Sequence, residues 1–162
     1  MRLSIHKLRI LKQELRVYED MLDERESVIK QYNETLQNMQ DELQETIEKL
    51  KSIESPQGDG LGGYVQEKNE QFNYLIEKKD KLRKSIAEYV KKNEKNYLQD
   101  LEFWNTRIET AEYYLSKMNA SDRKFIEDFY YKLSKKECME CYNIYNINSL
   151  YRKANMILEK LL

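Results

Sequence analysis

The sequence predicts an all-α fold: a long antiparallel helical hairpin or coiled coil followed by a C-terminal helix-turn-helix module. Three observations predict it. Apolar residues recur every seven positions over residues 8–53. All four Gly and the single Pro of the 162-residue chain fall within residues 55–63. Beyond residue 118, the long-period texture gives way to short aromatic segments separated by capping residues.

Composition agrees. Charged residues make up 35% of the chain and apolar residues 40%, the balance of long helices that bury a narrow stripe and expose much charged surface. The net charge is −1, so a nucleic-acid site has to come from a local patch. Charge is unevenly placed. Residues 1–16 hold five Lys/Arg and one acid, a net +4, and residues 119–162 hold eight and six, a net +2. The stretch between them carries −7, which makes both ends positive and the hairpin negative.

The opening Met1-Arg2-Leu3-Ser4-Ile5-His6 has no apolar leader region, and polar residues interrupt every apolar run well short of a membrane span. A soluble intracellular protein with no membrane partner is expected. Catalytic signatures are missing: no Ser-His-Asp set, no nucleotide loop, and His6 as the single His. Cys138 and Cys141 form Cys-Met-Glu-Cys inside a helical pattern, without the strand context of a redox pair or two further metal ligands. They read as buried or half-buried thiols. No enzyme activity, cofactor or metal is expected, and the abundant acids read as solvated faces with i,i+4 partners.

The first helix carries the seam. Leu8, Leu15, Leu22, Ile29, Leu36, Leu43 and Leu50 lie seven apart, interleaved with Leu11, Tyr18, Arg25, Tyr32, Met39, Thr46 and Ile53. Aliphatic residues at every turn of one heptad position call for a coiled-coil seam, intramolecular or between copies, in a helix roughly 75 Å long. The polar and bulky second position suits an unequal partner helix better than a plain parallel dimer.

Residues 54–64 form the connector. Its glycines lack the Lys-Ser/Thr of a phosphate-binding loop and follow no strand. A second helical stretch begins near Val65 and passes through Phe72, Ile76, Leu82, Ile86, Tyr89 and Val90. It continues through Tyr97, Leu101, Trp104, Ile108, Ala111, Leu115 and Met118. Its wholly polar residues 91–96 are a candidate kink. Trp104 and the nearby tyrosines read as seam residues. Two long helices with a short connector fold back antiparallel, placing a hairpin at residues 1–118.

Residues 119–162 read as three helices. The first spans about 121–132, with Phe125, Ile126, Phe129 and Tyr130 inward. Ser134 caps a short second helix from Lys135 to about Tyr142, burying Cys138 with Cys141 or Tyr142. Asn143-Ile144-Tyr145 is the turn, and Asn146 caps the last helix, whose inward set is Ile147, Leu150, Tyr151, Ala154, Ile157, Leu158 and Leu161. A short helix, a tight turn and a longer capped helix is the helix-turn-helix pattern. In that geometry the last helix enters the major groove. Asn146, Asn148, Ser149, Arg152 and Lys153 are then candidates for double-stranded DNA, since Asn pairs with adenine edges, Arg with guanine, and Ser or Lys with phosphates. Lys132, Lys135 and Lys136 are candidate phosphate contacts at the preceding junction.

The string Leu115-Ser116-Lys117-Met118 through Asp122-Arg123-Lys124-Phe125-Ile126, then Phe129-Tyr130-Tyr131-Lys132-Leu133-Ser134, resembles sigma-factor region 4. So does Ser149-Leu150-Tyr151-Arg152 followed by Ile157-Leu158 and Leu161. The layout is similar to the ArpU- and RinA-like late-gene transcriptional regulators of phages and prophages of low-GC Gram-positive bacteria, over roughly residues 51–162. Those proteins place a helical segment, a Ser-Pro/Gly-rich loop and a second helix ahead of a region-4-like module. The chain departs from the pattern with Lys132 where Gly is common, Cys138-Met139 in place of an Ile-Ala pair, and no Gly in the central turn. The resemblance implies a DNA-binding regulator in the cytoplasm of a bacterial host, acting as a homodimer or higher homo-oligomer, with RNA polymerase as a further candidate partner. A terminase small subunit would share this plan. The alternative from another class is a coiled-coil adaptor or inhibitor that acts on a protein without DNA. The exposure of Asn148, Ser149 and Arg152 discriminates between the classes.

Overall fold

The computed structural model describes the backbone of residues 2–54 and 62–162, and the side-chain packing of residues 5–53 and 69–162. Residues 55–61 of the expected connector lie outside the described residues. The fold is all-α: α1 (Arg2–Arg16), α2 (Tyr18–Glu54), α3 (Gly62–Ser116), α4 (Ala120–Glu127), a π-helical turn (Asp128–Lys132), α5 (Lys135–Cys141) and α6 (Ile147–Glu159). No described helix is long and apolar enough to cross a membrane.

Two expectations about the long helices need correction. The heptad stretch is not one uninterrupted helix, because α1 ends at Arg16 and α2 begins at Tyr18. The chain stays nearly helical across Val17, whose N–H reaches the Gln13 carbonyl at 3.3 Å while Met21 N–H reaches Val17 at 2.8 Å. Conversely, α3 runs unbroken through residues 91–96. Polar side chains there need not interrupt a helix, since the backbone hydrogen bonds are indifferent to which face is wet.

The chain forms two compact units, residues 28–100 and residues 1–27 with 101–162. In the 28–100 unit, α2 and α3 run antiparallel: Tyr32 meets Tyr89 and Tyr97, and Glu42 meets Lys78 at 3.6 Å. The Tyr32 and Tyr97 rings stack 4.2 Å apart, nearly parallel at 9°. This explains how a bulky second seam position packs against an unequal helix. Leu50 and Leu75 are buried, while Ile29, Leu36 and Leu43 are half-buried. Thr46 sits buried in the seam because its hydroxyl donates to the Glu42 carbonyl at 2.9 Å, which satisfies the polar atom locally.

The other unit holds the larger core. Leu11 and Leu15 of α1, Leu115 of α3, Phe125 and Ile126 of α4, and Leu150 and Leu158 of α6 are all buried in one cluster. Leu8 and Leu22 are half-buried. Beside that cluster, Trp104 packs on Met21, Ile108 and Ala111, as expected of a seam residue. The start of α2 runs antiparallel to the end of α3, since Arg25 meets Asn105 at 3.1 Å and Tyr18 meets Glu112 at 2.9 Å, and α1 continues along it with Leu11 and Leu15 in the same cluster as Leu115. Leu115 on one side of residue 118 and Phe125 on the other therefore share a core, which α1 completes from the opposite end of the sequence.

Candidate nucleic-acid interface

The interface is assembled by local devices that aim α6. Asn119 caps α4, its side-chain oxygen accepting from Asp122 N–H at 2.8 Å. The helix then widens into the π-turn, closed by Leu133 N–H to the Asp128 carbonyl at 2.9 Å. This extra residue lets consecutive Asp128 and Phe129 both turn inward, and π-turns inside helices recur at functional sites. The Asp128 carboxylate accepts from the Tyr142 hydroxyl at 2.6 Å. Burial first, and then that carboxylate, push the Tyr142 hydroxyl well above the ordinary phenol range. α4 is thus tied to the end of α5. Tyr142→Phe strands a buried carboxylate and should cost about 1–3 kcal/mol of stability, read as a lower urea midpoint. Tyr145→Phe, at a position 94% exposed, should leave the midpoint unchanged.

Ser134 starts α5 with a reciprocal capping box: Glu137 N–H donates to the Ser134 hydroxyl, and Ser134 N–H donates to the Glu137 carboxylate, both at 3.1 Å. The helix ends in a Schellman motif. Asn143 takes φ 53°, Ile144 N–H returns to the Met139 carbonyl at 2.9 Å, and Asn143 N–H reaches Glu140 at 3.5 Å. Asn enters the left-handed region more easily than other residues with a Cβ, which is why this turn works without Gly.

Asn146 caps α6, accepting from Asn148 N–H at 2.8 Å. The helix buries Leu150, Ala154, Ile157 and Leu158, and Leu161 is half-buried. Asn148, Ser149 and Arg152 are exposed. Two residues expected inside are at the surface: Ile147 is 46% and Tyr151 41% exposed. They flank the buried stripe one turn apart. Tyr151 keeps a perpendicular ring contact with Phe129, with centroids 5.3 Å apart at 90°. Helical periodicity alone did not separate the flank of the stripe from its centre.

The four candidate lysines divide sharply. Lys132 donates to the Glu127 carboxylate at 2.9 Å, where Arg123 also donates at 3.0 Å. Burial works against that carboxylate's charge, yet the two hydrogen bonds hold its pKa below the usual range. Lys135 is not an exposed cation: its ammonium donates to the Phe129 carbonyl and lies 3.4 Å from the Phe129 ring centroid. Burial, and then the nearby Arg16 charge, lower its pKa. Lys153 lies 4.6 Å from the Phe125 ring centroid and 5.2 Å from that of Tyr142. Only Lys136 of the four is exposed without an ion pair or ring contact among the described residues.

No known family, curated protein or solved structure matches the chain. The chemistry of the surface therefore rests on its own residues. Cys138 is buried, with its thiol pushed up by that burial, whereas Cys141 is exposed rather than half-buried. Among the described residues no group of His, Cys, Asp and Glu is placed to hold a metal ion. What α6 offers is a row of neutral and cationic hydrogen-bonding groups on a rigidly capped helix.

Proposed function

We propose that the chain is a sequence-specific DNA-binding transcriptional regulator of phage or prophage type, acting on double-stranded DNA through α5 and α6 and not as an enzyme. The observation that carries this reading is the split of α6. Its first turns expose Asn148, Ser149 and Arg152, while the opposite face is locked into the core through Leu150 and Ala154. Asn148 and Arg152, one helical turn apart, suit the adenine and guanine edges of the major groove. Ser149 suits a phosphate, and exposed Ile147 suits a thymine methyl. Lys136 is the junction lysine with no other partner among the described residues, exposed Lys132 and Lys153 also reach the surface, and Lys135 is drawn onto Phe129.

Dimerisation belongs to the same reading, since two modules double the contacts of a weakly basic one. RNA polymerase is the second partner implied by the resemblance to sigma-factor region 4. Packing of these side chains against the hairpin would have favoured an adaptor; they are exposed instead.

The test is binding of the purified full chain to tiled fragments of its own genomic neighbourhood at two salt concentrations, with the mass of the complex measured alongside. One fragment bound well above the rest, with affinity falling steeply in salt, is the expected result. Uniform weak binding, or none at low salt, would return α6 to a purely structural role and favour a protein partner.

A further inference from the structure

We propose that the basic face of α1, formed by Arg9, Lys12 and Arg16, is a second DNA-backbone contact that holds phosphates flanking the segment read by α6. The inference rests on the DNA-binding reading above and extends it to the opposite end of the sequence.

The three cations are spaced i, i+3 and i+7, which puts them on one side of a helix. They line a shallow recess with Ile5 and Leu8; Arg9 and Arg16 are exposed and Lys12 is half-buried. The single acid of residues 1–16 is Glu14, and it is already engaged. Arg107 of α3 holds it through two hydrogen bonds, Nη2 to Oε1 at 2.8 Å and Nε to Oε2 at 3.1 Å. Among the described residues none of the three cations forms an ion pair. α1 therefore presents three cations outside any ion pair, the next acids along the chain being Glu19 and Asp20 at the start of α2.

Its position relative to α5 and α6 is set by packing. Leu11 and Leu15, on the other side of α1, belong to the same core as Phe129, Cys138 and Leu150. Tyr18, two residues beyond Arg16, lies with its ring centroid 5.4 Å from that of Tyr131 in the π-turn that leads into α5. Lys135 opens α5, and its ammonium lies 5.8 Å from the ring centroid of Tyr151, the neighbour of Arg152. The α1 end that carries Arg16 therefore lies beside the segment leading into α5, the helix that crosses the sugar-phosphate backbone in a helix-turn-helix.

Charge complementarity selects the occupant. Three cations over about 10 Å of helix meet a duplex that carries one negative charge per roughly 1.7 Å of its axis. A basic helix on an anionic bilayer instead buries a continuous apolar face in lipid, and on α1 Leu11 and Leu15 are taken by the core, leaving only Ile5 and Ile10 exposed among the large apolar residues described. Residues 119–162 supply only a net +2, so α1 provides charge that the module itself lacks.

The experiment compares the full-length chain with a variant carrying Arg9→Gln, Lys12→Gln and Arg16→Gln, on the best-bound fragment and on random duplex, across salt concentrations. The slope of log affinity against log salt should become shallower by about 2–3 in the variant, with the ranking of fragments unchanged. If that variant loses helicity, Arg9→Gln and Arg16→Gln made singly should each reduce the slope by about 1. Arg9→Lys with Arg16→Lys should keep the original slope. An unchanged slope in the folded charge-neutral variants, with Arg152→Ala still weakening the preferred fragment, overturns the role of α1 and leaves the DNA reading intact. A wild-type chain that binds no duplex overturns both. Co-sedimentation with phosphatidylserine vesicles that the triple variant abolishes, with an unchanged DNA slope, assigns the face to a membrane.

Discussion

Arg152→Ala should lower affinity for the preferred DNA fragment by about 1–3 kcal/mol, roughly 5- to 150-fold, while affinity for random duplex falls far less. The asymmetry follows from where the side chain stands. Arg152 is exposed on α6, beside Tyr151 and one turn from Asn148, so its removal disturbs no core contact. A planar guanidinium offers two parallel donors to guanine, and an Ala in its place leaves that base unread. Gel-shift titration on both DNAs at fixed salt measures the difference. Equal losses on the two would remove Arg152 from base reading and make it a phosphate contact. Lys135→Ala tests the complementary point. Because Lys135 is half-buried against Phe129, its loss should appear first as a lower unfolding midpoint rather than as a shallower salt dependence.

Leu15→Ala should destabilise the unit formed by residues 1–27 and 101–162 by about 3–5 kcal/mol, the range for truncating a fully enclosed leucine. Leu15 is 0% exposed and packs in the same cluster as Phe125, Leu150 and Leu158. A loss of that size is a large fraction of the stability of a typical domain. Its location is the informative part. Hydrogen exchange of the amides of α5 and α6 should accelerate together with that of α1, and DNA affinity should fall although Leu15 offers nothing to a duplex. Leu36→Ala, at a half-buried position in the 28–100 unit, should cost less and leave α6 protected. Unchanged protection of α6 in Leu15→Ala would show that the C-terminal module is stable without α1.

Much of this was legible in the residues. The helical class, the caps Ser134 and Asn146, the turn at Asn143-Ile144-Tyr145 and the exposure of Asn148, Ser149 and Arg152 all follow from signals within a few positions of one another. Such features are local: an N-cap satisfies the N–H groups of its own helix, and a seven-residue repeat specifies its own buried face. Local signals therefore specify the elements and which side of each turns inward. They did not determine the ends of the stripes, and Ile147 and Tyr151 came out exposed.

Which charges pair, and which segments share a core, depends on the folded arrangement. Lys132, Lys135 and Lys153 read like Lys136 in one dimension, yet Glu127 and the rings of Phe129 and Phe125 engage the first three. Glu14 and Arg107 lie 93 positions apart, and their pairing engages the one acid of residues 1–16. Leu11 and Leu15 join the helix-turn-helix core by the same long-range closure. The physical reason is that backbone hydrogen bonds and periodicity act over a turn or two of helix. Charge neutralisation and burial depend instead on distance in space, which the order of residues sets only after the chain has folded.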